Sequence, residues 1–540
     1  MTNASRKGLV ARWIERRFGG YRHPFNTVDE AKPLVLSQAK RVAVVGSGLA
    51  GLGAAAKLAA RGFEVVLFER NASLGGTLGA WPTTMPDGTT IGMAHGFHAF
   101  FRHYYNLSLF LTEAGVASRF RPMDNYLIRT EDGRSVSFQG VSTTPLINLI
   151  SLARKGVYDF WKVAGRHTGP KMEAMLRYDP VATWTEWDTV SYEEFAEQAR
   201  LPSDLRLVFN TFARAFFADA EKMSMAALIE SFHFYYLSND AGLVYDFLDD
   251  DYARSFAAPI QAHLDQLGVE VRLATPVETI GYVVGESGSR FSIADERYDY
   301  LVLATDVVAT RAIFERSPEL RAAAPTSAAK VETLKPGQRY AVLRLWLDRD
   351  TTQSVPEFVI TERIRLLDAI CLEHRSERES SDWVAARVAL GQQGGVFELH
   401  CYAVSEDLPG ETTIAGSDTR HPGQAELRER LLADFHHFFP DLADATIVHE
   451  TMYVRRDFPA FHVGTRATRP SGDTDLAALR LAGDWVALPL PAMLMEAAYT
   501  AGLLASNSFC AAEGLREDQV WSVPPRGFMA GWRRRPSPTA

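Results

Sequence analysis

Residues 41–53 constrain the fold of this 540-residue chain more than any other stretch. The apolar run at 42–45 is typical of a buried parallel strand, and a helix rich in Ala and Leu is predicted over 49–61. Three glycines follow the strand at the G-x-G-x-x-G spacing: Gly46, Gly48 and Gly51. This spacing allows a tight turn, then a close backbone approach to a pyrophosphate, then close packing of the helix on the strand. The stretch therefore predicts a dinucleotide-binding turn.

The residues after the glycines supply the other features that such a site requires. Leu49 and Ala50 begin the helix, where free backbone N–H groups and the positive end of the dipole favour phosphates. Gly62 ends the helix, a second strand is predicted over 63–68, and Glu69 closes that strand. An acidic side chain at this position accepts hydrogen bonds from a ribose diol. We therefore predict a nucleotide site here rather than a bare βαβ unit.

Length and composition set broader limits. A chain of this length is expected to form two connected domains, and 46% apolar with 23% charged residues is ordinary for a globular protein. The net charge of −9 gives no basic face for nucleic acid. Cys371, Cys401 and Cys510 lie far apart, which excludes a disulfide framework and suits a reducing cytoplasm. No apolar run is long enough to predict a membrane-spanning helix, and the N-terminus lacks a signal-peptide core.

The first forty residues form a basic extension with two possible roles. Its basic side chains are Arg6, Lys7, Arg12, Arg16, Arg17 and Arg22, and they surround Val10, Trp13, Ile14 and Phe18. Such a helix either lies on an anionic membrane surface or covers the domain as a solvated helix. The first role predicts a cytoplasmic protein that is peripheral on the inner face of a membrane. At the other end, residues 516–540 are predicted to be a tail, with a basic, disordered patch at 531–536.

The loop after the second strand gives the first resemblance to a known family. Arg70 opens this loop, and Gly75 and Gly76 close it. With Glu69, the loop resembles the opening of the amine-oxidase and carotenoid-desaturase superfamily of FAD enzymes. The resemblance implies an α/β fold in which a Rossmann-type FAD-binding domain is discontinuous and an α+β substrate-binding domain is inserted. The implied FAD domain comprises 41–100, 246–310 and 471–515, and the substrate domain comprises 101–245 and 311–470.

The second and third FAD stretches also resemble motifs of that superfamily. The strand at 268–273 leads to Val277, whose backbone the resemblance places against the adenine. The strand at 298–306 ends in Asp306, where the superfamily usually has glycine. Near the C-terminus, Gly483 and Asp484 look like the motif whose acid binds the ribityl chain. Met493 then begins a predicted helix over 493–506, whose N-terminus would face the flavin. The resemblance therefore implies FAD as the cofactor.

The rest of the chain bears on the electron acceptor and on the substrate. No second G-x-G-x-x-G follows a strand, so no NAD(P)H domain is predicted and the acceptor is oxygen, a quinone or another carrier. Residues 100–245 are predicted to be mostly helical and are rich in aromatic side chains, whereas 311–470 predict alternating strands and a helix at 424–439. A sheet capped by aromatic helices suits a long apolar tunnel, and it equally suits an ordinary packed core.

Three further stretches, 93–107, 455–464 and 481–491, resemble the isorenieratene synthase, or carotenoid φ-ring synthase, branch of the desaturases. The resemblance covers most of 40–515. It implies an apolar isoprenoid substrate, most simply a carotenoid whose β-ionone ring is aromatised by desaturation and a 1,2-methyl shift. Such a reaction forms a cation that must be shielded from water, and aromatic faces stabilise cations.

The reaction also needs a base. His95 and His98 are the candidates, because histidine transfers protons near neutral pH; each is otherwise a hydrogen-bonded structural residue. Together with His103 they suggest a metal cluster, but no acidic partner or cysteine is near in sequence, so no metal is expected. Arg102 either contacts a cofactor phosphate or pairs with an acid.

Three alternatives to aromatisation remain. One is another FAD-dependent desaturase. A second is a flavin amine oxidase, which usually brings a lysine near the flavin and an aromatic cage for the amine. The strand at 338–344 holds no lysine and the loop at 486–491 is apolar, and both features favour a hydrocarbon substrate. A third is a non-catalytic flavoprotein that serves as a membrane-surface scaffold, although the glycines and Glu69 are intact. The sequence thus predicts an FAD-dependent oxidoreductase.

Overall fold

The computed structural model describes residues 8–86, 88–163, 165, 168–283, 290–362, 365–404 and 424–531. Arg6, Lys7 and residues 532–536, which the sequence analysis includes in its basic segments, lie outside the described residues.

The strands are numbered in chain order. They are β1 (His23–Pro24), β2 (Arg41–Val45), β3 (Glu64–Phe68), β4 (Ala80–Thr84), β5 (Thr90–Ala94), β6 (Phe100–Phe101), β7 (Phe120–Pro122), β8 (Leu127–Arg129), β9 (Ser135–Ser137), β10 (Tyr245–Leu248), β11 (Glu270–Arg272), β12 (Gly281–Tyr282), β13 (Phe291–Ile293), β14 (Glu296–Tyr298), β15 (Tyr300–Leu303), β16 (Arg339–Leu347), β17 (Phe358–Thr361), β18 (Ala369–Leu372), β19 (Gly395–Val404), β20 (Ile447–Arg455), β21 (Leu479–Leu481) and β22 (Trp521–Ser522).

The α-helices are numbered in the same way. They are α1 (Leu9–Phe18), α2 (Leu49–Ala60), α3 (Tyr105–Glu113), α4 (Ile147–Arg154), α5 (Phe160–Val163), α6 (Thr168–Met172), α7 (Ala182–Trp187), α8 (Tyr192–Gln198), α9 (Ser203–Arg214), α10 (Met225–Phe232), α11 (Ala258–Gln266), α12 (Val307–Arg316), α13 (Pro318–Ala323), α14 (Pro325–Thr333), α15 (Glu373–Ser376), α16 (Arg378–Ala389), α17 (Ala425–Phe438), α18 (Thr465–Thr468) and α19 (Leu494–Ala512). Short π-helices occupy His233–Leu237 and Ala253–Ala257.

A five-stranded parallel sheet carries the glycine-rich turn. Its strand order is β11-β3-β2-β15-β21, so it draws strands from three separated stretches of the chain. Helices α2 and α19 pack closely on each other because small residues face each other: a Cβ at Gly502 would lie 1.9 Å from the Ala50 carbonyl oxygen. A parallel sheet built from a βαβ unit confirms the prediction of an α/β, Rossmann-type domain.

A seven-stranded sheet of order β20-β16-β19-β18-β17-β8-β9 forms the second layer. Its pairs are antiparallel except for β17 and β8. One face is covered by α17, which packs Leu427, Leu431 and Phe435 on it. The other face carries the alternate residues of β16 and β19. This face lies opposite the glycine-rich turn of the parallel sheet, across a cavity described below.

Two segments differ from the local sequence predictions. The 100–245 stretch, predicted to be mostly helical, also supplies β8 and β9 to the seven-stranded sheet. Within the same stretch, helix α10 continues as a π-helix after Phe232. The predicted C-terminal tail packs on the body as far as residue 531: β22 pairs with β1, and Asn106 Nδ2 donates to the Trp521 carbonyl at 2.8 Å. Burial of apolar side chains such as Val520 and Val523 holds it there.

The basic N-terminal segment forms α1, as predicted. Ile14 is buried, while the Trp13 side chain is 55% exposed and meets Phe528 edge-on at 5.6 Å between ring centroids. Among the helices that the structure describes, none is both long and apolar enough to cross a bilayer.

Candidate active site

Of the three glycines around the start of α2, Gly46 and Gly51 are packed against neighbouring backbone atoms, whereas Gly48 faces open space. A Cβ at Gly51 would lie 1.8 Å from the Gly46 carbonyl oxygen, and a Cβ at Gly46 would lie 2.6 Å from the Ala304 carbonyl oxygen. A Cβ at Gly48 would meet no atom within 4 Å, because Gly48 borders an open cavity. The turn is therefore tight on the protein side and open on the side where a pyrophosphate would approach.

The second glycine loop closes against the first. Gly75 and Gly76 both have positive φ angles, 115° and 59°, and a Cβ at Gly76 would lie 3.0 Å from the Gly48 Cα. The Gly75 N–H donates to the Ser47 carbonyl oxygen at 3.0 Å. Glycine is needed at both positions because an L side chain strains this backbone conformation. The two loops together form one wall of the cavity.

Glu69 lies at the end of β3 and borders the cavity while being only 5% exposed. One carboxylate oxygen accepts from the Ser47 N–H at 2.9 Å and the Ser47 hydroxyl at 2.7 Å, and the other accepts from the Asn71 N–H at 2.8 Å. A carboxylate offers about four acceptor positions, so capacity remains for ribose hydroxyls. Arg70, beside it, pairs with Asp306 at 3.2 Å.

Asp306 has a structural reason to replace glycine. It caps α12, accepting the Ala309 N–H at 2.8 Å, as an acidic residue favours a helix N-terminus.

The C-terminal FAD motif also reaches the cavity. Gly483 and Asp484 border it, and burial raises the pKa of Asp484 to about 6, with the positive charge of Arg469 opposing the shift. Met493 precedes α19 but borders a separate small pocket next to Arg469, whereas Leu494 borders the large cavity. Helix α19 begins at Leu494, one residue later than predicted, and Leu494 has a positive φ of 49°.

The thirteen residues proposed for the cofactor thus separate into three groups. Those that border the cavity are Gly46, Gly48, Leu49, Ala50, Glu69, Arg70, Gly76, Val277, Gly483 and Asp484. Gly51 and Gly75 lie behind it and shape its wall through the backbone, and Met493 lies outside it.

The cavity itself has a volume of about 700 Å³ and two unlike ends. Near the glycine turn it is bordered by charged side chains: Glu69, Arg70, Glu278, Asp306, Arg316 and Asp484. Two further charged side chains, Arg455 and Asp457, border the cavity close to Tyr340. Away from the turn it is bordered by rings: Phe97, Phe101, Tyr126, Phe138, Phe217, Tyr235, Tyr236, Tyr245, Tyr340, Phe358, Tyr402 and Phe458. A polar ligand group and a long apolar one would each find matching surroundings in this single cavity.

Four of these rings form a cluster that we call the aromatic box: Phe217, Tyr340, Tyr402 and Phe458. Phe217 and Phe458 stack with centroids 3.7 Å apart and planes 10° apart. Tyr340 and Tyr402 meet Phe217 edge-on at 5.3 Å and 5.7 Å. The ring faces carry negative potential, so the box can stabilise a cation on a bound ligand.

Both histidines proposed as bases border the cavity. His95 lies edge-on to Trp81 and Tyr453, and neither of its ring nitrogens has a hydrogen bond of good geometry. Burial lowers its pKa well below the ordinary value, and the charge of Arg455 lowers it further. His98 is held by the Gly96 carbonyl at 2.7 Å from Nδ1, and burial lowers its pKa to about 4.

The other residues singled out from the sequence have structural partners elsewhere. Arg102 pairs with Asp246 at 2.6 Å, away from the cavity. His103 is fully buried among Phe101, Phe234 and Tyr235. Over the described ranges, no cluster of three or more His, Cys, Asp or Glu side chains is arranged to hold a metal ion.

A polar network that the sequence analysis did not single out lies on the cavity face of the seven-stranded sheet. His400 bridges Glu398, at 2.8 Å from Nε2, and the Tyr402 hydroxyl, at 2.9 Å from Nδ1. Arg344, opposite Glu398 in the register of β16 and β19, binds the carboxylate at 2.8 Å and 2.7 Å. The available signal was the alternation of polar residues at 398, 400 and 402 within a predicted strand, since alternate residues share a face.

Comparison with known proteins identifies the family. The family of flavin-containing amine oxidoreductases matches residues 49–370 and 401–508. A carotenoid φ-ring synthase of Streptomyces griseus is 33% identical over 510 residues, covering 92% of each chain. This chain belongs to the flavin-containing amine oxidoreductases. The corresponding enzyme of Chlorobaculum tepidum is 26% identical, again over 92% of each chain. The solved structure of putrescine oxidase, 14% identical, covers 88% of this chain and 99% of its own with a TM-score of 0.59, which shows a shared fold.

Membership of this flavoenzyme family confirms the predictions of FAD and of an FAD-dependent oxidoreductase. The residues present fit that cofactor, because Gly48 leaves room for a phosphate, Glu69 retains acceptor capacity for a ribose, and Asp484 is a partly buried acid at the same cavity. The role of each residue toward FAD stays a prediction, as do the domain boundaries.

Proposed function

We propose that this chain is a carotenoid desaturase that converts a β-ionone ring into a trimethylphenyl ring through desaturation and a 1,2-methyl shift. One observation carries the proposal: a single cavity joins a nucleotide-binding turn to an apolar, aromatic compartment. The φ-ring synthases of two bacteria, alignable over 92% of this chain, support the same class of substrate.

FAD, when bound, supplies the hydride acceptor that a desaturation requires. The chain's own residues have other tasks. The aromatic box excludes water from a cationic ring and faces it with π-systems. The apolar compartment fixes the long hydrocarbon so that one end ring is held at the reacting position.

The same lining disfavours a flavin amine oxidase. No lysine is among the described residues that border the cavity, in agreement with the absence of lysine from the 338–344 strand. The structural likeness to putrescine oxidase, at 14% identity, extends to the fold alone. A hydrocarbon therefore fits this compartment better than an amine does.

Contact with a membrane is part of the proposal, because the substrate is dissolved in lipid. Two exposed apolar sites have basic neighbours. On α1, Leu9, Val10 and Trp13 lie beside Arg12, Arg16 and Arg17. On the segment that includes α4 and α5, the Trp161 side chain is 81% exposed beside Lys162, and Leu152 and Val157 of the same segment border the cavity. Exposed tryptophan next to basic residues favours an anionic bilayer surface.

The membrane proposal is tested by sedimentation with vesicles of anionic and of neutral phospholipids at low salt. Trp13→Glu and Trp161→Glu should each weaken binding to the anionic vesicles. Leu390→Glu is the matched control. Leu390, the residue that follows α16, is 77% exposed and does not border the cavity. Equal losses in all three variants, or no binding by the wild type, would contradict membrane contact at these sites.

The catalytic proposal is tested by expression in a host that accumulates β-carotene, followed by chromatography and mass spectrometry of the pigments. Aromatisation keeps every carbon and removes two pairs of hydrogen atoms from each ring. Flavin-loaded protein that leaves β-carotene unchanged would overturn the proposal. Reoxidation of the purified, reduced protein by oxygen, a quinone and a protein carrier, compared side by side, would assign the electron acceptor.

A further inference from the structure

We propose that Tyr402, His400 and Glu398 form a proton relay that takes up the proton released when the substrate ring becomes aromatic. The inference rests on the proposed function. Tyr402 is the catalytic residue, because its hydroxyl would contact the ring, and His400 and Glu398 are positioning residues that act through it.

Position is the first argument. The three residues alternate along β19 and therefore lie on one face of the sheet. Tyr402 and His400 both border the cavity, and the Tyr402 ring is part of the aromatic box. The chain of contacts is continuous, with 2.9 Å between the Tyr402 hydroxyl and His400 Nδ1 and 2.8 Å between His400 Nε2 and Glu398.

The direction of each hydrogen bond follows from the charge at the far end. Arg344 is 3% exposed and donates to Glu398 through two nitrogens, so Glu398 is ionised and its pKa is lowered to about 2. An ionised carboxylate only accepts, so His400 Nε2 donates to it. The neutral imidazole then accepts at Nδ1, and the Tyr402 hydroxyl is the donor. This is the base-and-orienting-acid arrangement that activates hydroxyl groups in other enzymes.

The proton step is balanced without any further reagent. A ring carbon next to the cationic centre releases its proton to the Tyr402 oxygen, and the electron pair of that C–H bond completes the ring double bond. The original phenolic proton moves at the same time to His400 Nδ1. Tyr402 ends as a neutral phenol and His400 as an imidazolium beside the Glu398 carboxylate, so no bare charge is left in the apolar compartment.

The surroundings of the relay support this use. A Cβ at Gly96 would lie 3.4 Å from both Glu398 Oε1 and His400 Nε2, so the 95–98 loop closes over the pair. Arg344 also contacts Glu377, at 3.3 Å. The relay is therefore enclosed by the 95–98 loop and anchored by Arg344.

The relay has an advantage over the two histidines of the covering loop. His98 Nδ1 is bound to a carbonyl oxygen, and His95 has no acid to orient it. A general base needs a fixed orientation as well as a lone pair. His400 has both, and Tyr402 extends its reach into the compartment.

The test compares two stages of one reaction in Tyr402→Phe, which removes only the hydroxyl. We expect unchanged flavin content, unchanged binding of β-carotene by its absorption shift, and retained anaerobic flavin reduction. Formation of the aromatic ring should fall about 100-fold, the ordinary size of a general-base contribution. His400→Gln should show the same split between flavin reduction and product. Tyr192→Phe is the control, because the Tyr192 hydroxyl is bound to the Arg206 carbonyl away from the cavity.

The outcomes separate the relay from the proposed function. A wild-type protein that forms no aromatic product overturns both. If the wild type forms the aromatic product, and Tyr402→Phe shows the same ratio of product formed to flavin reduced, the relay alone is overturned. A Tyr402→Phe protein that no longer binds β-carotene assigns Tyr402 to substrate binding and also overturns the relay.

Discussion

The two ends of the cavity are built in different ways. At the nucleotide end, the glycine turns of one βαβ unit and its loop are completed by residues of two later stretches, such as Asp306 and Asp484, and backbone packing at Gly46, Gly51 and Gly76 sets the shape of the wall. At the aromatic end, side chains come from distant elements, such as Phe217 after α9, Tyr402 on β19 and Phe458 after β20. A Cβ added at Gly46 or Gly51 would clash with backbone atoms behind the wall of the nucleotide end, whereas each ring of the aromatic end can be replaced separately. Cofactor and substrate specificity are therefore separable by mutation.

The largest effect is expected from Gly51→Ala. The new Cβ would lie 1.8 Å from a backbone oxygen that has no room to move, so we expect a loss of more than about 3 kcal/mol in the free energy of unfolding, with no bound flavin. Gly48→Ala is the contrasting variant. Its Cβ meets open space, so the melting temperature should stay close to wild type while the flavin-to-protein absorbance ratio falls. Equal melting temperatures for the two variants would contradict the division of the glycines.

A smaller and more selective effect is expected from Phe458→Leu, which removes one stacked face of the aromatic box. Conversion of carotenoid should fall about tenfold, because a desolvated cation–π contact contributes roughly 1 to 2 kcal/mol. Flavin content should not change. Phe195→Leu, at a buried ring that does not border the cavity, is the control. If Phe458→Leu lowers flavin content and conversion together, the two ends are not separable.

The smallest effect concerns the stability of the fold at acid pH. Buried, neutral histidines in the aromatic region make the free energy of unfolding depend on pH. Burial lowers the pKa of His103 to about 3, from the ordinary value of 6.5. Between these pH values the unfolded chain binds the additional proton, so the free energy of unfolding decreases as the pH falls from 6.5 toward 3.

His103→Phe removes this titration, and its melting temperature should fall less steeply than that of the wild type over the same pH range. His437→Phe, on the half-exposed side of α17, is the control. Parallel curves for the wild type and His103→Phe would argue against a buried neutral His103.

The difference between the two ends of the cavity also explains which features could be predicted from the sequence. Glu69 and the glycines were predictable because their roles depend on local spacing and on a turn of fixed geometry. The network of Arg344, Glu398 and His400 was not, since it depends on the register between β16 and β19, and register is decided by packing over the whole sheet. The packing of residues 516–531 was missed because its partner strand, β1, lies at the other end of the chain.

The order of strands in the parallel sheet also has a consequence for biosynthesis. β2 and β3 emerge early from the ribosome, but β21, which pairs with the buried strand β15, emerges roughly 20 to 90 s later at ordinary elongation rates. β15 ends at Leu303, so for roughly 10 to 35 s of that interval its apolar edge has no partner strand and is open to pairing with other chains. Slow translation or low temperature therefore affects the yield of this protein, because either one prolongs the time during which the parallel sheet lacks its last strand.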